Sequence, residues 1–387
     1  MDFSKLDDLV ANLDIFGVPC WDCAVTYRHE TVYRRRGGFA DLEKTRLPSE
    51  DDVYFVYSCT KLVTAVAAMQ LVEQGKLSLK DPVRKFFPEY GRFVQKGGTV
   101  VPAEREATVE DLLSMQGGVD YDLNKPHLTA FMREHPLAST QEYIHEFLKD
   151  PLLFEPGTDY FYSMCLDIVG AIIEQVSGER YSDYIRRHIA DPLGWQVCSL
   201  QPTPELLARM PQFYRCDSEG YRYHRVPSFL TPVPRGANPY IIGENYDSAG
   251  AGLITRASDL MLLVDALAND GVGRNGFRVL TRASIDEMRM NRLDTPEKYF
   301  HHAFGLSDYG YGYGLAVRVL TDDRVSLSPK GEFGWDGAAG AFLLSDPENR
   351  ISLTYFMSVR GLKDLKPAFH HRMRDLVYEA LAAEIGR

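Results

Sequence analysis

From Leu62 to Val72 the chain is apolar at almost every position. Leu62, Val63, Ala65, Val66, Ala67, Ala68, Met69, Leu71 and Val72 leave no polar stripe, and the first charge after Lys61 is Glu73. A helix that is apolar nearly all round lies buried among other elements. The pattern therefore predicts a central helix that ends near Gly75 and encloses whatever chemistry sits at its start. An amphipathic helix is predicted over residues 3–13. β-type runs over 18–27 and 30–33 predict a β-hairpin closed around Arg28-His29. A short strand is expected at 53–56 and a short helical stretch after Lys80. Thr108-Val109-Glu110-Asp111 reads as a capping-box helix start, stopped by Gly117-Gly118. Further helices are predicted over 141–148, over 166–176 with Gly178 as its stop, over 182–190 and over 258–269. The tail then turns to strands at 314–320, 339–344 and 351–356, before a long helix over 366–385.

Strands at both ends with helices between them predict an α+β fold: a mainly antiparallel sheet flanked by helices, with an inserted, mostly helical region. The sheet is antiparallel because its C-terminal strands follow one another without crossover helices. Residues 1–75 and 248–387 are expected to form the α/β domain. Residues 76–247 are expected to form the insertion, including an irregular flap over 215–247, rich in Tyr, Pro and Gly.

Length and composition narrow the function. A chain of 387 residues with 45% hydrophobic and 25% charged positions can bury a large core. A net charge of −11 disfavours a phosphate-binding surface, so no nucleic-acid partner is expected. Arg34-Arg35-Arg36, the one compact basic run, reads as the exposed end of the hairpin. No window approaches 18 uninterrupted apolar residues, and the first eight residues lack a signal-like h-region, so a cytoplasmic location without a membrane partner is expected. Six sparse cysteines show no disulfide framework. Cys20 and Cys23 fall three apart on a strand and point to opposite faces, as buried structural thiols rather than a metal or redox pair. The adjacent pairs His301-His302 and His370-His371 come without H-E-x-x-H or a carboxylate at ligand spacing, and read as solvated or capping; no metal and no cofactor are expected. Gly310-Tyr311-Gly312-Tyr313-Gly314 precedes no helix and reads as a strand entry, not a nucleotide loop.

Candidate chemistry begins at Ser58-Cys59-Thr60-Lys61, which opens the central helix. Side chains at i and i+3 share a helix face, so the hydroxyl and the amine are neighbours. A serine hydroxyl needs a base to become a nucleophile. An exposed lysine, with a pKa of ~10.4, is protonated and cannot serve. Burial can bring it to ~7–8 at a cost of roughly 3–5 kcal/mol, and the apolar helix provides that burial. Tyr162 follows the Pro156-Gly157 turn and leads into the helix over 166–176, where a phenol can share a proton with a lysine. Gly334-Trp335-Asp336-Gly337-Ala338 precedes an apolar strand, and glycine there lets backbone N–H groups approach a ligand closely.

In this order the segments resemble the serine β-lactamase and penicillin-binding protein superfamily, in particular its class C-like branch of carboxylesterases and D-amino-acid-processing hydrolases. The S-x-x-K of Ser58 and Lys61 is the superfamily's own motif. Thr108 to Gly118 is similar to its T-x-x-x-L-L segment, Pro156 to Ser163 to its P-G-x-x-x-x-Y-S stretch, and Ser248-Ala249-Gly250-Ala251-Gly252-Leu253 to its S-A-G-G-L turn. The resemblance implies that Ser58 forms an acyl-enzyme. It implies that Lys61 and Tyr162 move the protons, and that the backbone N–H groups of Ser58 and Ala338 form an oxyanion hole. It assigns Trp335, Asp336, Gly337 and Met164 to substrate binding.

Two departures shape the expected substrate. Met164, a weak thioether acceptor, stands where lactamases usually carry the asparagine of Y-x-N. Trp335-Asp336-Gly337 replaces K-T-G, whose lysine helps bind a carboxylate. An aromatic beside an acid suits an uncharged or cationic acyl group. The expectation is a carboxylesterase acting on small acyl esters. A β-lactamase, a D-aminopeptidase or D-Ala-D-Ala-type peptidase, an acyltransferase using the same residues, and an inactive ligand- or partner-binding homologue are the alternatives.

Overall fold

The computed structural model describes residues 1–11, 18–41, 43–216, 223–225, 242–293, 306–362 and 369–386. Its centre is a seven-stranded sheet in the order Glu30–Gly38, Cys20–Tyr27, Ile351–Met357, Phe342–Asp346, Phe333–Gly334, Arg318–Leu320, Tyr311–Tyr313. Every neighbouring pair is antiparallel. The two chain ends build this sheet together: Trp21 to Tyr27 pair with Met357 to Ile351. All seven residues of Ile351–Met357 are buried, because both faces of the sheet are covered. The opening helix Ser4–Ala11 and the final helix His371–Ala380 cover one face, with Leu6, Val10, Met373, Leu376 and Val377 packed on Val25, Leu353 and Tyr355. The helix Ala257–Ala268 packs on the other.

Behind that face runs the central helix, Thr60–Glu73, buried from Thr60 through Leu71 as its all-round apolar pattern requires. It packs against the helix Cys165–Ser177, which ends on Gly178 in the left-handed conformation. The regular elements from 76 to 213 are helices and one small hairpin, and one hydrophobic cluster runs without a break from them into the sheet. The Thr108–Asp111 capping box is present in full.

Several expectations need correction. The segment read as one strand over 314–320 is the end of a hairpin: Tyr311–Tyr313 turns back at Ala316, which has φ +60°, and returns as Arg318–Leu320. Arg34, Arg35 and Arg36 lie within the edge strand, not at the hairpin's end, and face Asp22, Asp7 and Glu50. His370 and His371 are buried rather than solvated, because the final helix is pressed onto the sheet. Burial lowers the His371 pKa to about 3, so this imidazole stays neutral. The helix Pro126–Glu134 and the hairpin Phe93–Lys96/Thr99–Pro102 had no counterpart in the pattern. Cys20 and Cys23 are buried free thiols, and burial pushes Cys20 up to about 12. His301-His302, most of the flap and the start of the last predicted helix lie outside the described residues. No helix among the described residues is long and apolar enough to cross a membrane.

Candidate active site

Ser58 stands at a sharp corner. The strand Val53–Phe55 runs into a single 3-10 turn, Tyr57–Cys59, that leads directly into the central helix. Tyr57 takes φ +46°, a left-handed conformation that costs an L-residue with a large side chain on the order of 1–3 kcal/mol. Its ring is wholly buried against Phe55 and Phe213, so packing holds the corner in place. The corner leaves Ser58 half-buried while its neighbours Tyr57 and Cys59 face the interior. Burial raises the Cys59 thiol well above its ordinary value and keeps it protonated, so the hydroxyl is the group this turn presents.

Three side chains meet there. The Tyr162 hydroxyl donates to Ser58 Oγ at 2.6 Å, and Lys61 Nζ lies 3.4 Å from the same oxygen. The indole N–H of Trp335 donates to the Tyr162 oxygen at 3.3 Å. Lys61 is fully buried, with Nζ 4.6 Å from the centroid of the Tyr162 ring. Burial pushes the Tyr162 phenol above its ordinary value, against the opposing pull of its bonds to Ser58 and Trp335. Tyr162 therefore holds its proton at neutral pH, in keeping with its role as donor to Ser58.

The Ser248–Leu253 turn anchors the amine. The Gly250 carbonyl accepts from Lys61 Nζ at 2.7 Å, and the Ala249 carbonyl accepts from Thr64 one helical turn on. Gly250 has a steric reason to be glycine. A Cβ there would fall 2.4 Å from Asp167 Oδ2 and 3.5 Å from Lys61 Nζ.

Opposite this turn, the Trp335–Ala338 segment lies along the corner that carries Ser58. The Trp335 carbonyl accepts from Cys59 Sγ at 3.7 Å, and a Cβ on Gly337 would fall 2.5 Å from the Val56 carbonyl. Gly337 donates its own N–H to Ala341 at 2.8 Å, and the next residue, Ala338, is exposed. Tyr121 and Tyr313 flank the aromatic pair, packing on Tyr162 and Trp335 respectively.

Two residues expected to bind substrate, Asp336 and Met164, are buried. Asp336 is 9% exposed, and its carboxylate accepts from the buried Arg318 at 2.7 Å. The cause is strand geometry. Asp336 bridges to Phe342 and its side chain takes the opposite face from its neighbours. Met164 is buried in the helical region, where it lines a small cavity with Val119, Leu123, Phe147 and Leu152. Arg318 is itself fully buried and also reaches the Leu343 carbonyl. Removing one partner of a buried pair leaves the other charge uncompensated. Arg318→Met is therefore expected to lower unfolding stability by about 3–5 kcal/mol, read by urea denaturation. A loss under about 1 kcal/mol would show that the Asp336 charge is met in another way.

The sequence matches the family described as Beta-lactamase over residues 6–375. The chain belongs to the beta-lactamase family. Its relatives mark this beta-lactamase family member as a serine-hydrolase-type enzyme. It is 27% identical over 392 residues to the lovastatin esterase of Penicillium rubens, a match covering 90% of this chain and 92% of the relative. It is also 27% identical over 340 residues to esterase EstB of Burkholderia gladioli, covering 82% and 80%. Among solved structures, EstCE1, described as a hydrolase with promiscuous acyltransferase activity, superposes with a TM-score of 0.78 at 23% identity, over 97% of this chain and 98% of its own. The fold is thus the beta-lactamase/transpeptidase-like one.

One neighbour of the site escaped the sequence reading. Asp167 lies on the helix Cys165–Ser177, is 2% exposed, and accepts from the Tyr246 hydroxyl at 2.8 Å and the Ser248 hydroxyl at 3.0 Å. A signal for it was present. It is a lone acid in the apolar run Leu166 to Ile173, just after the Tyr162-Ser163 pair.

Proposed function

We propose that this family member is an esterase acting on small, uncharged acyl esters through an acyl-enzyme on Ser58. The observation that carries this reading is the single oxygen, Ser58 Oγ, held between the Tyr162 hydroxyl and the Lys61 amine, with the Trp335 indole beside them. In the reactive form Lys61 is the neutral amine and takes the Ser58 proton as Oγ attacks the ester carbonyl carbon. The backbone N–H groups of Ser58 and Ala338 receive the developing oxyanion in this reading, which the close approach of the Gly337 backbone to the Val56 carbonyl supports. Tyr162 gives its proton to the departing alkoxide and is reprotonated from Lys61, so the serine proton ends on the alcohol. In the second half a water gives its proton to the same pair, its oxygen attacks the acyl carbon, and Ser58 Oγ leaves with a proton restored.

The preference for a neutral acyl group rests on what surrounds that oxygen. Where the K-T-G resemblance places a carboxylate-binding lysine, this chain has the buried indole of Trp335. The adjacent Asp336 is turned inward and matched by Arg318, so it offers no acidic contact to a cationic substrate. The names of the two esterase relatives agree with this reading. The test is a parallel assay with p-nitrophenyl butyrate, nitrocefin and a D-alanine anilide. The ester is expected to exceed both others in kcat/KM by at least ~10²-fold, the scale of leaving a charged group without its partner. A preference for nitrocefin or the anilide would overturn the assignment.

A further inference from the structure

Asp167 is a buried carboxyl that the acyl-transfer scheme above leaves without a task. It faces Lys61 across Gly250: the space a Gly250 Cβ would fill is bounded by Asp167 Oδ2 on one side and Lys61 Nζ on the other. The Tyr246 and Ser248 hydroxyls donate to the carboxyl, and the Lys61 amine lies across Gly250 from it. An ionised carboxylate can only accept, and a set of donors of this kind favours the ionised form. Burial opposes it and raises the Asp167 pKa, with Lys61 the largest counterweight. Gly250 stands between the two groups, and its carbonyl accepts from Lys61 Nζ at 2.7 Å.

We infer that Asp167 is a positioning residue for the acyl-transfer site, a buried anion that orients Lys61 and stabilises the ammonium formed when Lys61 takes the Ser58 proton. The proton stays on Lys61 Nζ until it passes to Tyr162; Asp167 neither takes nor gives one. The arrangement has the logic of an acid that steadies the protonated base of a nucleophilic serine without being protonated itself. The other titratable groups facing this pair are Tyr181, whose hydroxyl shares a hydrogen bond with Thr64 on the central helix, and, on the Lys61 side, Ser58, Cys59 and Tyr162. Burial raises Tyr181, Cys59 and Tyr162, so none of the three competes for the charge at neutral pH.

This inference rests on the Ser58 reading, and its test keeps the two apart. Asp167→Asn removes the charge and keeps the shape. It is expected to lower kcat roughly 10²-fold, with KM little changed, because the interaction matters most once the ammonium has formed. It is also expected to move the acid limb of kcat/KM to lower pH by about one unit or more, since loss of an adjacent anion makes the neutral amine easier to form. Asp167→Glu is expected to keep the wild-type limb. Should Asp167→Asn fail to fold, Tyr246→Phe carries the same test: deleting one donor weakens the ionised carboxylate and shifts the limb in the same direction by less. A uniform loss of rate with the acid limb unmoved would assign Asp167 to packing alone and overturn the inference. If the wild-type protein is not labelled by a fluorophosphonate at Ser58, it is the Ser58 reading that fails, whatever the Asp167 variants do.

Discussion

Ser58→Ala is expected to abolish ester turnover, with kcat/KM falling at least ~10⁴-fold, and to abolish covalent labelling by a fluorophosphonate probe. Both losses follow from one atom, because Oγ is the oxygen on which the Tyr162 hydroxyl and the Lys61 amine converge. Cys59 cannot substitute: it is buried and held protonated. The fold should survive the change. Ser58 is half-buried, the Tyr162 oxygen keeps its bond from the Trp335 indole, and Lys61 keeps the Gly250 carbonyl. A melting temperature near that of the wild type, together with lost labelling, separates chemistry from unfolding. Retained labelling at full stoichiometry would place the nucleophile elsewhere.

Lys61→Arg is expected to lose turnover at least ~10³-fold at every pH from about 6 to 10, with no recovery on the alkaline side. The reason is chemical first: a guanidinium stays protonated throughout that range and cannot accept the Ser58 proton. It is also spatial. Lys61 has no exposed surface, and its amine lies between the Tyr162 ring and the Gly250 carbonyl, where a planar fork does not fit without displacing one of them. The pH–rate profile is the deciding readout. A Lys61→Arg protein whose rate climbs with pH would mean that Tyr162, once ionised, serves as base by itself.

The parts of this account that could be read from the sequence are those whose signal is local. The Ser58–Lys61 spacing, the Thr108–Asp111 box and the Gly178 stop each depend on residues within one turn of each other, and each stands where the pattern placed it. The all-round apolar run after Lys61 likewise predicted a buried helix. What the pattern missed depends on the third dimension. Asp336 looked like a pocket residue because its neighbours are. Strand alternation, with Arg318 arriving from another strand, turns it inward. Ala316 reverses the chain in a left-handed conformation with no glycine of its own to announce it, so two strands read as one. His370 and His371 look solvated in a polar stretch, and only the docking of the last helix onto the sheet buries them. Asp167 faces Lys61 only because the Ser248–Leu253 turn brings Gly250 between two helices that meet in the core.

The central claim is that an acyl group passes through Ser58. Rapid acid quench of the wild-type protein during turnover of p-nitrophenyl butyrate, followed by peptide mass spectrometry, tests it directly. The account predicts a butyryl adduct on the peptide that contains Ser58, and none on the Ser58→Ala protein. An adduct of equal yield on another residue, or on the Ser58→Ala protein, would contradict it.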